Sequence, residues 1–334
     1  MRRKISLMMF AVALIFTGCS KDDKDTDVAP TVYVAGEQNV PGSGLVVAKL
    51  WKNGVADDLS NGTTNATTTS VFVSGSDVYV TGNEATPTTI NAKLWKNGVA
   101  TTLPTSATVA TASKVVVSGN DVYVAGFTNE GARLWKNGVE TKLTNNTNPG
   151  YITDMVISGS DVYVIGYEIE NSRVIAKIWK NNVVTNITDG TYNANANALA
   201  VAGSDVYVVG WRRVGAKATA VIWKNGVPAD ITDGTKSATA NGIYVYNNDI
   251  YVCGSEDNGT VSVAKLWKNG TPTNLSDVTK RAEALSIYGF GSDVYIVGYE
   301  YNATNAVATV WKNGVAERLS DGATYAKASG IFVK

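Results

Sequence analysis

Histidine is absent from all 334 residues, which removes His-dependent nucleophilic triads and His-ligated metal sites from the chemistry open to this chain. Cysteine is almost as scarce. Cys19 and Cys253 are the only two, so there is neither a disulfide framework nor a cysteine metal motif, and no phosphate-binding loop is present. For acid–base work this leaves carboxylates. Glu168, Glu170, Asp189, Asp233, Glu256 and Glu300 could supply a pair for sugar hydrolysis, but no spacing singles out two that converge. For binding it leaves aromatics. Phe127, Tyr167, Trp211 and Tyr299 each follow a glycine that closes a Val-Tyr-Val-like strand, in a series whose other members are Glu37, Asn83 and Ser255. Exposed rings beside Glu168, Arg212 and Glu300 would suit stacking on sugar rings with hydrogen bonds to hydroxyls. The competing expectation is that Tyr167, on the same strand face as Tyr163, extends packing between neighbouring sheets. Tyr151, Tyr192, Lys236, Arg281 and Tyr325 are further candidates on nearby loops.

The elements that must position these residues come from a repeat. Trp-Lys-Asn stands at Trp51, Trp95, Trp135, Trp179, Trp223, Trp267 and Trp311, at spacings of 44, 40, 44, 44, 44 and 44 residues. Such a period means one supersecondary unit repeated, each copy burying its apolar faces against its neighbours. In the copy around Trp223, four strand-like runs are separated by turn signals. Ala198–Val201 ends at Gly203-Ser204, and Asp205–Gly210 follows a tight turn in which Asp205 can accept backbone hydrogen bonds. Ala220–Lys224 closes on Asn225-Gly226, a type I′ hairpin signal, and Val227–Thr232 ends at Asp233-Gly234.

The first run is apolar on both faces, as Val71, Val115, Met155, Leu199, Ile243, Ile287 and Ile331 alternate with Phe72, Val116, Val156, Ala200, Tyr244, Tyr288 and Phe332. That pattern requires a sheet covered on both sides. Radially stacked four-stranded antiparallel sheets satisfy it, and four strands in about 44 residues is one propeller blade. The chain ends complement each other. Thr31–Gly36 is a second strand without a first, and Ser329–Val333 a first strand without a second, so together they complete a seventh blade and close a ring.

Across residues 31–334 the chain therefore resembles seven-bladed β-propeller repeat proteins. Val-Tyr-Val-x-Gly followed by a tryptophan is similar to kelch repeats, although Phe127, Tyr167, Trp211 or Tyr299 replaces the second kelch glycine, and the Trp-Asp of WD40 repeats is absent. The Trp-Lys-Asn-Gly repeat resembles propeller-type lipoproteins of Bacteroidetes, a likeness that implies a fold and not a function.

Residues 1–18 read as a targeting segment: Arg2, Arg3 and Lys4 precede an apolar stretch, Ile5–Phe16, too short to span a bilayer. Phe16-Thr17-Gly18-Cys19 resembles a bacterial lipobox, which implies cleavage before Cys19, lipidation there and anchoring to a membrane. Residues 19–30, charged and without an apolar run, read as a flexible tether. Ser20-Lys21-Asp22-Asp23 resembles the surface-export signal of Bacteroidetes lipoproteins, with a plain linker as the alternative. Loss of residues 1–18 would leave 26 basic against 29 acidic side chains, so no nucleic acid partner is implied. No cofactor is implied either, and the chain is expected to be a monomer. Cys253 reads as a small core residue.

Strand direction divides the ring into two rims. The first–second and third–fourth turns share one rim and hardly vary. The other rim holds every length change, including Glu168–Arg173, Arg212–Lys217 and Glu256–Asn258, and variable loops on a rigid scaffold are where binding residues concentrate. The seven tryptophans and seven tyrosines of the repeat are expected in the core, and Asp77, Asp121, Asp161, Asp205, Asp249 and Asp293 in turns and not around a metal. The expected function is a membrane-anchored, surface-exposed, non-enzymatic module that binds a glycan or protein through the variable rim. The alternatives are a polysaccharide-active enzyme using paired carboxylates, and a structural partner of an outer-membrane complex.

Overall fold

The computed structural model describes residues 29–144 and 149–334; the expected signal peptide and Cys19 lie outside the described residues. Seven four-stranded antiparallel sheets form a seven-bladed β-propeller, with no helix among the described residues. Each blade is called here by its tryptophan. The Trp223 blade runs Asn193–Ala202, Asp205–Val214, Lys217–Lys224 and Val227–Asp230 from the axis outward. The inner three strands extend further toward the variable rim than the apolar runs alone predict. In the Trp51 blade, Ala326–Val333 pairs with Val32–Asn39, which continues to Val46–Lys52 and Val55–Asp58. The ring closes as its two ends require.

The core lies between blades. Trp223 packs with Leu199 and Val208 of its own blade and with Tyr163, Ile165 and Ala176 of the Trp179 blade. All seven repeat tryptophans are buried. Three indoles also bond across the joint: Nε1 of Trp95, Trp135 and Trp179 donates to Leu59, Pro104 and Leu143 carbonyls at 2.9, 2.9 and 3.2 Å. A buried tryptophan N–H ordinarily finds a partner, and in these three blades the backbone leaving the previous outer strand supplies it, whereas the buried Trp311 Nε1 has none.

Every inner strand carries a bulge at Thr69, Ser113, Thr153, Asn197, Asn241, Leu285 or Ser329, where its pairing with the second strand slips by one residue. A bulge re-aims the extra side chain, and here it points toward the axis. The slip also presses a carbonyl against the second strand. A Cβ on Gly210 would overlap the Asn195 carbonyl oxygen, and the same holds at Gly166 against Tyr151. Close backbone approach, and not turn geometry, explains the glycine that recurs in every second strand.

Candidate functional site

On the invariant rim, one side-chain unit recurs. Asp205 Oδ1 accepts from Asn225 Nδ2 at 2.8 Å, its Oδ2 lies 2.7 Å from Lys224 Nζ and accepts from Tyr207 Oη at 3.3 Å, and Asn225 Oδ1 accepts from the Val206 N–H at 2.9 Å. Lys224 Nζ lies 5.2 Å from the centre of the Tyr207 ring. This links the two turns of the blade. Six blades carry the aspartate with its lysine and asparagine, five of them with the tyrosine bond as well, and in the seventh Thr31 stands where the aspartate would be, with Lys52 still over Tyr33 at 5.7 Å. The lysine and then the asparagine hold each carboxylate below its ordinary range, except at Asp293, where Asn313 leads and Lys312 follows. The aspartate ring is thus occupied by its own turns. Among the described residues no three His, Cys, Asp or Glu side chains converge on a metal position.

On the variable rim, the sequence-derived residues fall into three separate groups. Phe127 and Tyr167 flank Tyr151: Phe127 meets it edge-on at 4.9 Å, and Tyr167 stacks on it at 4.8 Å and 19°. Tyr151 and Tyr167 are direct cross-strand partners, which is the geometry that brings rings together in a sheet. Burial pushes the Tyr167 hydroxyl up, with Tyr151 adding to it. Beside them, Lys177 is buried and shared by Glu168, at 3.1 Å, and Glu170. Burial raises the Glu168 carboxyl against the pull of Lys177, whereas Glu170, more open to solvent, is lowered by that lysine.

The second group lies on the Trp223 blade. Half-buried Trp211 carries the Arg213 guanidinium 5.7 Å from its ring centre. Arg212 lies 5.5 Å over Tyr192 and pairs with Asp230 at 2.6 Å. Lys236 is exposed on the following loop, which Asp233 closes by accepting from Thr235 N–H at 2.9 Å. The third group corrects an expectation. Tyr299 is only 6% exposed, because it packs edge-on to Tyr301 at 5.9 Å and lies across from Glu283. Burial, then Glu283, raises its hydroxyl above the ordinary range, and Tyr325 is pushed up to about 12 by burial and then by Glu37. Arg281 is exposed over Tyr301 at 5.6 Å. Glu300 accepts from the Asp277 N–H at 3.4 Å and lies 3.8 Å from Lys280. Of the six carboxylates considered for hydrolysis, only Glu168 and Glu170 meet, through Lys177; Asp189, Asp233, Glu256 and Glu300 serve Thr191, Thr235, Lys265 and Lys280.

Sequence reasoning missed the axial channel. Its cavity of about 450 Å³ is ringed by the bulge residues. Thr69, Thr153, Asn197 and Asn241 each donate to a carbonyl of the next blade, at 2.7, 2.7, 2.9 and 2.9 Å. One residue further along, Lys114 pairs with Asp154 at 2.9 Å. Asp154 also accepts from the Met155 N–H at 2.9 Å and the Leu199 N–H at 3.0 Å, so it joins three consecutive blades. The signal lay in one column. Ser70, Lys114, Asp154, Ala198, Gly242, Ser286 and Gly330 are equivalent, and two adjacent members are charged where the rest are small. Both stand out from the other copies of the inner strand as the variable loops stand out on their rim.

Fold and sites together define a seven-bladed β-propeller whose blades share one rim and differ on the other. No protein-family model and no curated protein matches the chain. Among solved structures it is similar to a puromycin-hydrolyzing peptidase of Mycobacterium tuberculosis, with 12% identity, a TM-score of 0.51, and coverage of 85% of this chain and 53% of that one. It is similar also to Pyrococcus horikoshii acylaminoacyl peptidase, with 12% identity, a TM-score of 0.50, and coverage of 87% and 50%. The chain spans about half the length of either. At that identity the likeness concerns the fold alone.

Proposed function

We propose that the protein is a non-enzymatic binding module, tied to a membrane through lipid on Cys19 and exposed at the cell surface, which takes a glycan or a protein on its variable rim. One observation carries the reading. The second strands Asp161–Glu170 and Asp205–Val214 are the longest of the seven, and the latter ends in two aromatic–guanidinium pairs, Trp211 with Arg213 and Tyr192 with Arg212. No repeat constraint explains Trp211, the only tryptophan outside the Trp-Lys-Asn motif. A ring face beside donors and an acceptor, here Arg212 and Asp230, is the chemistry that grips a sugar. A glycan array probed with residues 29–334 tests it. Trp211→Ala and Arg212→Ala should each abolish the signal and leave the melting temperature nearly unchanged; undiminished binding by both variants would sink the assignment.

A second reading, a polysaccharide-active enzyme, is favoured by the opposite displacement of Glu168 and Glu170, since two carboxyls pushed apart in pKa suit an acid and a base. It requires product release from some polysaccharide, lost in Glu168→Gln. Lys177 bonds both carboxyls, which is why the first reading is preferred.

A further inference from the structure

We propose that the invariant rim is the side of the ring that rests on the lipid surface, with Tyr246 and Phe290 entering the interface, so that the variable rim points away from the membrane. This rests on the reading of Cys19 as a lipid anchor, and it adds the orientation that the anchor imposes.

The path of the chain is the first argument. Thr31 exchanges two backbone hydrogen bonds with Lys334, at 2.7 and 3.0 Å, in the position that Asp205 and Ala202 hold in the Trp223 blade. The chain arriving from Cys19 therefore joins the ring at a first–second turn, on the invariant rim. Residues 19–30 reach at most about 40 Å when fully extended. An inner strand of nine residues, such as Ala238–Tyr246, spans about 30 Å from rim to rim. Passing outward over the third and outer strands adds about 10 Å. Placing the variable rim on the membrane would take the whole reach of the tether, while placing the invariant rim there takes almost none.

The second argument is independent of the tether. The inner strand ends in Ser74, Ser118, Ser158 and Ala202 in four consecutive blades, then in Tyr246 and Phe290 in the next two, and in the closing blade the equivalent position is Lys334, one residue past the strand end at Val333. Tyr246 and Phe290 are 39% and 43% exposed, and they stand in the two blades that precede the point where the tether joins. The turn does not require aromatics there, since serine serves it in three other blades, and although Tyr246 stacks on Tyr244 at 6.1 Å its other face stays open. Around the same rim, Val55, Val99, Val139, Val183, Val227 and Val315 are 68–73% exposed. Each lies across from a half-exposed lysine of the repeat, as Val227 does from Lys224. Aromatic rings favour the headgroup region; the lysines are paired with the aspartates of their turns, so the rings and valines, not charge, carry the attraction.

The test uses the chain from Cys19 to Lys334 coupled through Cys19 to maleimide-headgroup lipid in vesicles of phosphatidylcholine and phosphatidylglycerol. Cys253 is buried, and burial pushes its thiol up, so coupling is confined to Cys19. Lysine acylation is then compared on and off the vesicle by mass spectrometry. Lys96, Lys136, Lys180, Lys224, Lys268 and Lys312 should lose reactivity several-fold, with Lys217 and Lys236 of the variable rim unchanged. Protection of Lys217 and Lys236, or of no lysine, would overturn the proposal. A Tyr246→Ser, Phe290→Ser double variant, which copies the other blades, should melt as the parent does and lose most of the protection; full protection would remove the aromatics from the interface. Mass spectrometry of the native protein reads lipid on Cys19 separately, so a missing anchor and a wrong orientation give different results.

Discussion

Asp154 shows how much a single departure from the repeat can carry. Its carboxylate is nearly buried and answers Lys114 and two backbone N–H groups on three blades. Removing one partner of such a group leaves the others unsatisfied, so Asp154→Ala should lower stability by about 2–4 kcal/mol in urea unfolding; an unchanged midpoint would show that water replaces the carboxylate. Tyr299→Ala should cost about 2–4 kcal/mol, because the ring is buried among Tyr301 and Glu283. Arg212→Ala should cost under about 1 kcal/mol, since its ion pair with Asp230 lies at the surface. Thermal melts of both separate packing residues from contact residues. The sequence could not rank these side chains. Tyr167, Trp211 and Tyr299 occupy one column of the repeat, and their different burial depends on what stands beside each on its own blade: Tyr151 across the strand pair from Tyr167, Arg213 two residues beyond Trp211, and Tyr301 two residues beyond Tyr299. Lys114 and Asp154 escaped notice for another reason: alternation predicts an inner strand, but the bulge at Thr153 turns the next residue where a period of two would not.

At the scale of the element, the blade was legible nearly in full. Asn225-Gly226 predicted the outer hairpin, and Asn225 does adopt positive φ, 52°. The Asp–Lys–Asn–Tyr unit that ties the two turns together was less visible, because Asp205 and Lys224 lie nineteen residues apart and only the strand register makes them neighbours. The unit predicts how the ring meets acid and alkali. The six aspartates sit below 3.8 in the folded chain, so their contribution is complete above that value and is lost as the pH falls through their lowered range. The lysines sit above 10.5, raised first by the aspartate, or for Lys224 by Asp205, so their contribution is complete below 10.5 and is lost as the pH rises beyond it. The unit itself therefore adds no pH dependence between these limits and should lower the melting temperature outside both, so that a slope between them belongs to other groups such as Glu168. In Asp205→Asn the acid limb should be shallower than in the parent; an identical limb would place acid sensitivity elsewhere.

At the scale of the molecule, ring closure was readable because the missing strands were complementary, Thr31–Gly36 needing the partner that Ser329–Val333 supplies. The polar channel was not, because it belongs to no single blade and comes into being only when seven bulges face one axis. Closure also sets cooperativity. Every blade has two neighbours, and each core cluster draws on both sides of a joint. Heat should unfold the ring in one calorimetric transition, whereas an open array of the same repeats would lose blades in stages. A deletion of Ile331–Lys334 strips the partner from Val32–Val34 and should broaden or split that transition.

The handshake between Thr31 and Lys334 has one more consequence. The break in the chain falls at a first–second turn, and six intact turns of the same kind surround the axis. A circular permutant, with residues 31 and 334 joined through a short Gly-Ser link and new termini opened between Ser204 and Asp205, would move the seam to the Trp223 blade and still find every strand its neighbour. The order in which the blades are written along the polypeptide is thus separable from the object they build.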